Sequence, residues 1–116
     1  MLLNDIVFEK SCVYSNKKII FLNHMHNITI GMTAYNSERF IEDSIKSLLI
    51  QTTGNFKLII SDDASTDNTD RVCKNLMLLD DRIHYIRQEK NLGPRANFEF
   101  VFNQLWSIAR EDHQHF

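Results

Sequence analysis

The chain has 116 residues, of which 43% are hydrophobic and 24% are charged, and its formal net charge is −2 at pH 7. The length suits one domain of modest size, and the composition is ordinary for a globular protein, which argues against wholesale disorder. The small negative charge gives no electrostatic basis for binding nucleic acid or an anionic membrane surface.

The two cysteines, Cys12 and Cys73, are far apart in the sequence. This spacing favours free thiols in a reducing compartment over a disulfide framework. No apolar run approaches the roughly 18 residues that a membrane span requires, and the N-terminus lacks the basic start and long apolar segment of a signal peptide. We expect a cytoplasmic protein without a membrane span, and a peripheral position at the inner face of a membrane stays open.

The N-terminal segment, residues 1–27, is predicted to be an extension separate from the main domain. Two short apolar runs flank a polar stretch at residues 15–18, a pattern that indicates a hairpin or two edge strands. The main domain is predicted to cover residues 28–116.

Three β-prone runs alternate with three helical patterns in the main domain. The runs are Ile28–Thr33, Phe56–Ser61 and Ile83–Arg87. The helical patterns extend from Ile41 to about Gln51, from the acidic loop through Val72 and Leu76 to Leu79, and over Arg95–Arg110.

The last helix carries apolar residues on nearly every side. Such a helix needs burial all round. We therefore expect either a C-terminal part missing from this chain or an oligomeric partner to cover it.

The order β-α-β-α-β-α predicts an α/β fold, a Rossmann-like parallel sheet with helices on its faces. In such sheets ligands bind at the carboxyl ends of the strands, in the loops that lead into the helices. The polar segments TAYNSE, SDDASTD and NLGPR all lie in those loops. We expect them to converge on one rim of the sheet.

The acidic loop DDASTDNTD suggests a calcium site, but the spacing of its residues excludes one. Counted as an EF-hand from Asp63, the loop has Asn68 where glycine is needed and Lys74 where glutamate is needed. A receiver-type phosphate-accepting pocket stays open as a weaker alternative. Helix capping explains residues 67–70, with Asp67 and Asp70 at the helix start. Capping does not require both Asp62 and Asp63, so these two are better explained by a ligand.

The other two loops have both a structural and a functional interpretation. Asn36 or Ser37 could simply cap a helix, and Tyr35 could stack on a flat ring. Arg95 could be a solvated residue of the first turn, or it could hold a phosphate together with the helix N-terminus.

The segments ITIGMTAYNSERFIEDSIKSLLIQT, FKLIISDDASTDNT and RIHYIRQEKNLGPRANFE resemble, in order and spacing, the family 2 glycosyltransferases with the GT-A fold. The resemblance covers residues 28–110. It implies a nucleotide-sugar-binding part of a Rossmann-like domain, with a UDP-linked sugar as the expected donor and an unknown acceptor.

The resemblance also implies the residues of a donor nucleotide site. The aromatic ring of Tyr35 would lie beside the base, and Asp63 would accept a hydrogen bond from a base N–H. The loop after the third strand would approach the base and phosphates. The implied set is Thr33, Ala34, Tyr35, Asn36, Glu38, Asp62, Asp63, Ser65, Asn91, Gly93 and Arg95.

One departure from the family is large. In the family, a later Asp-x-Asp strand binds a divalent metal, Mg or Mn, and a still later carboxylate is the general base. Neither is expected within this chain, so no catalytic residue and no metal ligand is assigned. We expect a truncated GT-A domain that is inactive alone; the alternative is a non-catalytic nucleotide-binding fragment or an interaction module completed by a partner.

Overall fold

Alternating strands and helices make up the part of the chain that the structure, a computed structural model, describes: residues 6–9, 19–24, 27–51 and 56–114. The strands are β1 (Ile6–Glu9), β2 (Ile19–His24), β3 (Asn27–Ala34), β4 (Phe56–Asp62) and β5 (Ile83–Arg87). The helices are α1 (Ile41–Gln51), α2 (Thr69–Leu79) and α3 (Pro94–Gln114). The predicted α/β order is confirmed.

The strands form one five-stranded sheet in the order β1-β2-β3-β4-β5. The pairs β3–β4 and β4–β5 are parallel, as the crossover helices require. The pairs β1–β2 and β2–β3 are antiparallel, so the N-terminal segment adds two strands to the same sheet. The predicted pairing of two N-terminal strands is present, while the residues that connect β1 to β2 lie outside the described ranges.

The two faces of the sheet bury different helices, because side chains alternate along a strand. On one face the alternate residues of β3 and β4 pack with α1 and α2. The fully or nearly fully buried members of this core are Ile30, Met32, Ala34, Ile41, Ile45, Phe56, Leu58, Ile60, Cys73, Leu76 and Ile83.

The opposite face is covered by α3, which packs on β2, β3 and β4. Val101 and Leu105 are completely buried there against Ile59. The aromatic residues of α3 are only partly buried, and the rings of Phe102 and Trp106 stack with their centroids 6.2 Å apart. The helix begins at Pro94, as suits a residue that lacks an N–H. Coverage of its remaining apolar surface by a partner stays a prediction.

Cys73 is a free, buried thiol on α2. Burial, followed by the negative charges of Asp62, Asp70 and Asp67, raises its pKa to about 12. Since the thiolate is the reactive form, this cysteine acts as a small core residue and not as a nucleophile. Cys12 lies outside the described residues. Within the described ranges, no helix has the length and apolar character needed to cross a membrane.

Candidate functional site

The carboxyl ends of the three parallel strands lie side by side. Ala34 at the end of β3 is in register with Asp62 at the end of β4, and Asp62 is in register with Arg87 at the end of β5. The loops that follow these strands are therefore neighbours on one rim, together with the N-terminus of α3.

Asp62 and Asp63 do not share one pocket, because successive side chains leave a strand on opposite faces. Asp62 is completely buried on the α2 face. Its Oδ1 accepts hydrogen bonds from the backbone N–H and the hydroxyl of Ser65, at 3.0 and 2.5 Å. Its Oδ2 accepts from the Tyr85 hydroxyl at 2.5 Å and lies 3.7 Å from Nη1 of Arg87. Donors from the protein itself therefore surround Asp62, and its place in the donor site stays a prediction.

Asp63 lies on the α3 face and is 2% exposed. Its two carboxylate oxygens accept hydrogen bonds from the backbone N–H groups of Leu92, at 2.6 Å, and Gly93, at 3.0 Å. The Asn91 side chain donates to the Asp63 carbonyl at 3.1 Å. Gly93 has a φ of +95°, a conformation that favours glycine. Asp63 thus fixes the loop before α3, and each of its oxygens keeps a further lone pair for a ligand.

The loop after β3 is held by the acidic loop. Asn36 has a φ of 46°, and its backbone N–H donates to the Ser65 hydroxyl at 2.8 Å. Its side-chain oxygen accepts from the Thr66 N–H, also at 2.8 Å. Because Ser65 also donates to Asp62, this serine connects the two strand ends. Tyr35, immediately before Asn36, is 38% exposed at the rim.

The start of α2 agrees with the prediction that Asp67 binds a free N–H of the helix start, and differs from it for Asp70. Asn68 occupies the N-cap position without a side-chain cap hydrogen bond. The Asp67 carboxylate instead accepts from the backbone N–H and hydroxyl of Thr69, at 2.9 and 2.6 Å, and from the Glu38 N–H at 3.2 Å. Burial acts to raise the pKa of Asp67, but these hydrogen bonds outweigh it and lower the pKa. Asp70 does not complete a capping box; it accepts from the Tyr85 hydroxyl at 2.8 Å.

A cavity of about 280 Å³ opens between the loop after β3 and the start of α3. Five residues predicted for the site line it, and two further lining residues, Pro94 and Asn97, were not predicted. The full lining is Thr33, Ala34, Tyr35, Asp63, Asn91, Pro94 and Asn97.

The other predicted residues lie outside this lining. Asn36, Asp62 and Ser65 stand behind the cavity as supports. The Glu38 side chain is exposed. Gly93 and Arg95 border a shallower neighbouring surface, and the Arg95 side chain is 93% exposed with its Nε 3.3 Å from the Glu99 carboxylate.

Asn97 could have been found from helix spacing. It lies one turn beyond Gly93, and its backbone N–H donates to the Gly93 carbonyl at 3.0 Å, which is the first hydrogen bond of α3. Residues four positions apart lie on the same side of a helix, so Asn97 lies on the same side of α3 as Gly93, which belongs to the loop at the site. In the sequence, the positive charge of Arg95 is the more conspicuous signal in this segment.

The described residues include no group of three or more His, Cys, Asp or Glu side chains that could hold a metal ion. Asp62, Asp63 and Asp67 instead hold neighbouring N–H and O–H donors. The described residues therefore do not fit a metal site.

Comparison with known proteins gives the family. A model of glycosyl transferase family 2 matches residues 29–105, more than half of the chain. The chain belongs to glycosyl transferase family 2.

Several proteins named as glycosyltransferases are similar to this chain. A Bacillus subtilis (strain 168) protein named as a glycosyltransferase, EpsE, is 35% identical over 94 residues, which are 78% of this chain and 34% of EpsE. Glycosyltransferase GlyG of Streptococcus pneumoniae serotype 4 is 32% identical over 66 residues, 57% of this chain and 22% of GlyG.

A Campylobacter jejuni enzyme, GalNAc(5)-diNAcBac-PP-undecaprenol beta-1,3-glucosyltransferase, is 35% identical over 74 residues, 63% of this chain and 24% of the enzyme. The chain thus spans about a third or less of the length of these relatives.

Proposed function

We propose that this family 2 glycosyltransferase chain binds the nucleotide of a nucleotide-sugar donor, UDP-linked, in the cavity at the carboxyl ends of β3 and β4. The observation that carries the proposal is the cavity itself, which joins an aromatic ring, Tyr35, to a buried carboxylate, Asp63, beside the start of a long helix. A stacking surface and a fixed acceptor are what a planar base with a ring N–H requires.

The diphosphate would lie at the N-terminus of α3. The first-turn N–H groups of a helix have no acceptor within the helix, and the positive end of the helix dipole favours anions. Arg95, in this first turn, has an exposed guanidinium that pairs only loosely with Glu99 at 3.3 Å. It can turn toward a diphosphate, where it would make a stronger, charge-assisted contact.

In sugar transfer the bond between the anomeric carbon and the diphosphate oxygen breaks, and an acceptor oxygen bonds to that carbon. The contribution of this chain is to orient the donor and to stabilise the negative charge that develops on the departing nucleotide.

Calorimetric titration of the 116-residue chain with UDP tests the proposal. Tyr35→Ala should weaken UDP binding by about fivefold to tenfold, the value of one aromatic contact. Phe40→Ala is the matched control, because Phe40 is similarly exposed, at 39%, but does not line the cavity. Absence of UDP binding by the folded wild-type chain would overturn the proposal, as would equal losses in the two variants.

A further inference from the structure

The cavity contains a buried amide whose hydrogen-bonding capacity is only partly used. Asn97 is 2% exposed and lines the cavity from the end of the first turn of α3. Its Nδ2 donates to the Ser61 carbonyl at 3.0 Å, and its Oδ1 accepts from the Ser61 hydroxyl at 2.5 Å.

These contacts fix the orientation of the amide. A carbonyl oxygen can only accept, so the nitrogen of Asn97 must face the Ser61 carbonyl. The Gln88 side chain donates to the Ser61 hydroxyl at 3.0 Å, which leaves that hydroxyl free to donate its own hydrogen to Oδ1. Hydrogen-bond donation therefore runs in one direction, from the Gln88 amide to the Ser61 hydroxyl and from that hydroxyl to Oδ1 of Asn97.

One hydrogen of the Asn97 amide is left over. An amide nitrogen carries two hydrogens, and the contacts within the described residues use one of them. A buried donor needs an acceptor. The space beside Asn97 is the cavity, which the Asp63 carboxylate also lines, and a carboxylate can only accept hydrogen bonds.

We propose that Asn97 is a specificity-determining residue, which uses this remaining N–H to select a base with a carbonyl next to a ring N–H, as in uracil. The inference rests on the proposed function. Asp63 would accept from the base N3–H, and Asn97 would donate to the neighbouring C4 carbonyl. The ribose is attached at N1, so the N3–C4 edge is the part of the base that enters deepest.

Cytosine presents the opposite pattern on the same edge. Its N3 is an acceptor that would face the Asp63 carboxylate, and its C4 amine is a donor that would face the Asn97 N–H. Each mismatch leaves a buried polar group without a partner, which is the arrangement that rejects a wrong ligand most strongly.

The test is titration of the full 116-residue chain with UDP, CDP, GDP and 4-thio-UDP, whose thiocarbonyl is a weaker acceptor. Wild-type protein should bind UDP at least about tenfold more tightly than CDP. It should also bind UDP several-fold more tightly than 4-thio-UDP. In Asn97→Leu both preferences should fall to about twofold or less. Two proteins measured with two ligands form a double-mutant cycle, in which the change of ligand replaces the second mutation, and this cycle isolates the contact between Asn97 and the base. The matched control is Asn103→Leu, the same change at an exposed position of α3.

A second measurement does not depend on a variant that folds. In ¹⁵N-labelled wild-type protein, the side-chain N–H signals of Asn97 should shift downfield with UDP and stay in place with CDP.

The outcomes separate the two proposals. Lack of binding by every nucleotide overturns both the donor site and the role of Asn97. Two results overturn the role of Asn97 alone while UDP still binds tightly. One is that Asn97→Leu keeps the wild-type preferences for UDP over CDP and 4-thio-UDP, and the other is that the Asn97 side-chain N–H signals do not shift with UDP. Tighter binding of GDP than of UDP overturns the uracil assignment, because guanine also carries an N–H beside a carbonyl.

Discussion

At the residue scale, the most informative feature is the different surroundings of two neighbouring aspartates. Asp62 is enclosed by Ser65, Tyr85 and Arg87, while Asp63 holds the backbone before α3. Adjacent carboxylates in a sequence suggest one shared acidic site. Because side chains alternate along a strand, Asp63 lines the cavity, while Asp62 lies on the other face of the sheet and holds the neighbouring loop through Ser65.

Tyr85 is a partly buried support that the sequence did not reveal. Its hydroxyl lies 2.5 Å from Oδ2 of Asp62 and 2.8 Å from Oδ1 of Asp70, so the two carboxylates share its single hydrogen. Burial, followed by these hydrogen bonds, raises the pKa of Tyr85 above its ordinary value. The signal available in the sequence was the strand period alone, which places Tyr85 on the same face as Ile83 and Arg87 but does not identify its partners.

We expect Tyr85→Phe to lower the free energy of unfolding by about 1–3 kcal/mol at pH 7, because the Asp62 carboxylate loses a donor while it stays buried. The pH dependence should also change. Since the pKa of Tyr85 is higher in the folded state, the folded state holds more protons above about pH 10, so stability falls as pH rises there. Urea unfolding between pH 7 and 11 should show a smaller alkaline loss in Tyr85→Phe.

Tyr35→Phe is the control for this prediction, because it removes a phenol hydroxyl from a side chain that is 38% exposed. It should leave the free energy of unfolding at pH 7 within about 0.5 kcal/mol of the wild type. Equal alkaline losses in wild type and Tyr85→Phe would contradict the assigned role of Tyr85.

At the element scale, the close approach of α3 to the sheet depends on Gly31. A Cβ atom at this position would lie 2.4 Å from Cγ1 of Val101 and 3.2 Å from Cδ1 of Leu105. Both helix residues are completely buried. The side chain absent at Gly31 therefore sets how closely α3 rests on β3, and with it the position of the α3 N-terminus at the cavity.

Gly31→Ala should lower the free energy of unfolding by about 1–3 kcal/mol, the usual cost of an overpacked core. Removing the Val101 methyl groups that would collide with the new Cβ should restore part of the lost free energy of unfolding. The double variant Gly31→Ala/Val101→Ala should therefore be less unstable than the sum of the two single variants, with a coupling of about 0.5–3 kcal/mol. Thermal and urea unfolding of the four proteins measure this coupling, and strict additivity would exclude the predicted collision.

The elements themselves were largely predictable from the sequence. The runs at Phe56 and Ile83 and the helix from Ile41 match the structure closely, because strong apolar periodicity decides these elements locally. The convergence of the loops followed from topology. The partners of Asp70 and the placement of Asn97 were not predictable, since they depend on contacts between elements that periodicity does not encode.

At the scale of the whole molecule, the sheet joins two parts of different character. The three parallel strands carry the site, and the antiparallel strands β1 and β2 extend the sheet beyond β3. The family match begins at residue 29, within β3, so β1 and β2 lie outside the matched part. The N-terminal segment was predicted to be a separate extension, and that division stays a proposal.

The pairing of β2 with β3 bears directly on that division. It runs from the pair Ile19 and Met32 to the pair His24 and Asn27, which is most of the length of β3. Removal of residues 1–26 would expose the edge of β3, whose unpaired N–H and C=O groups would form a template for another chain. It would also uncover the part of α3 that packs on β2.

We therefore expect a chain of residues 27–116 to keep the circular-dichroism signature of an α/β protein, but to unfold at lower urea concentration than the full chain. It should also self-associate as its concentration rises, because a β3 edge can pair with the same edge of a second copy. Analytical ultracentrifugation at several concentrations measures this association, with the full chain as the reference. A shortened chain that stays monomeric and equally stable would mean that β1 and β2 contribute nothing to the core, and that residues 1–27 form an independent extension.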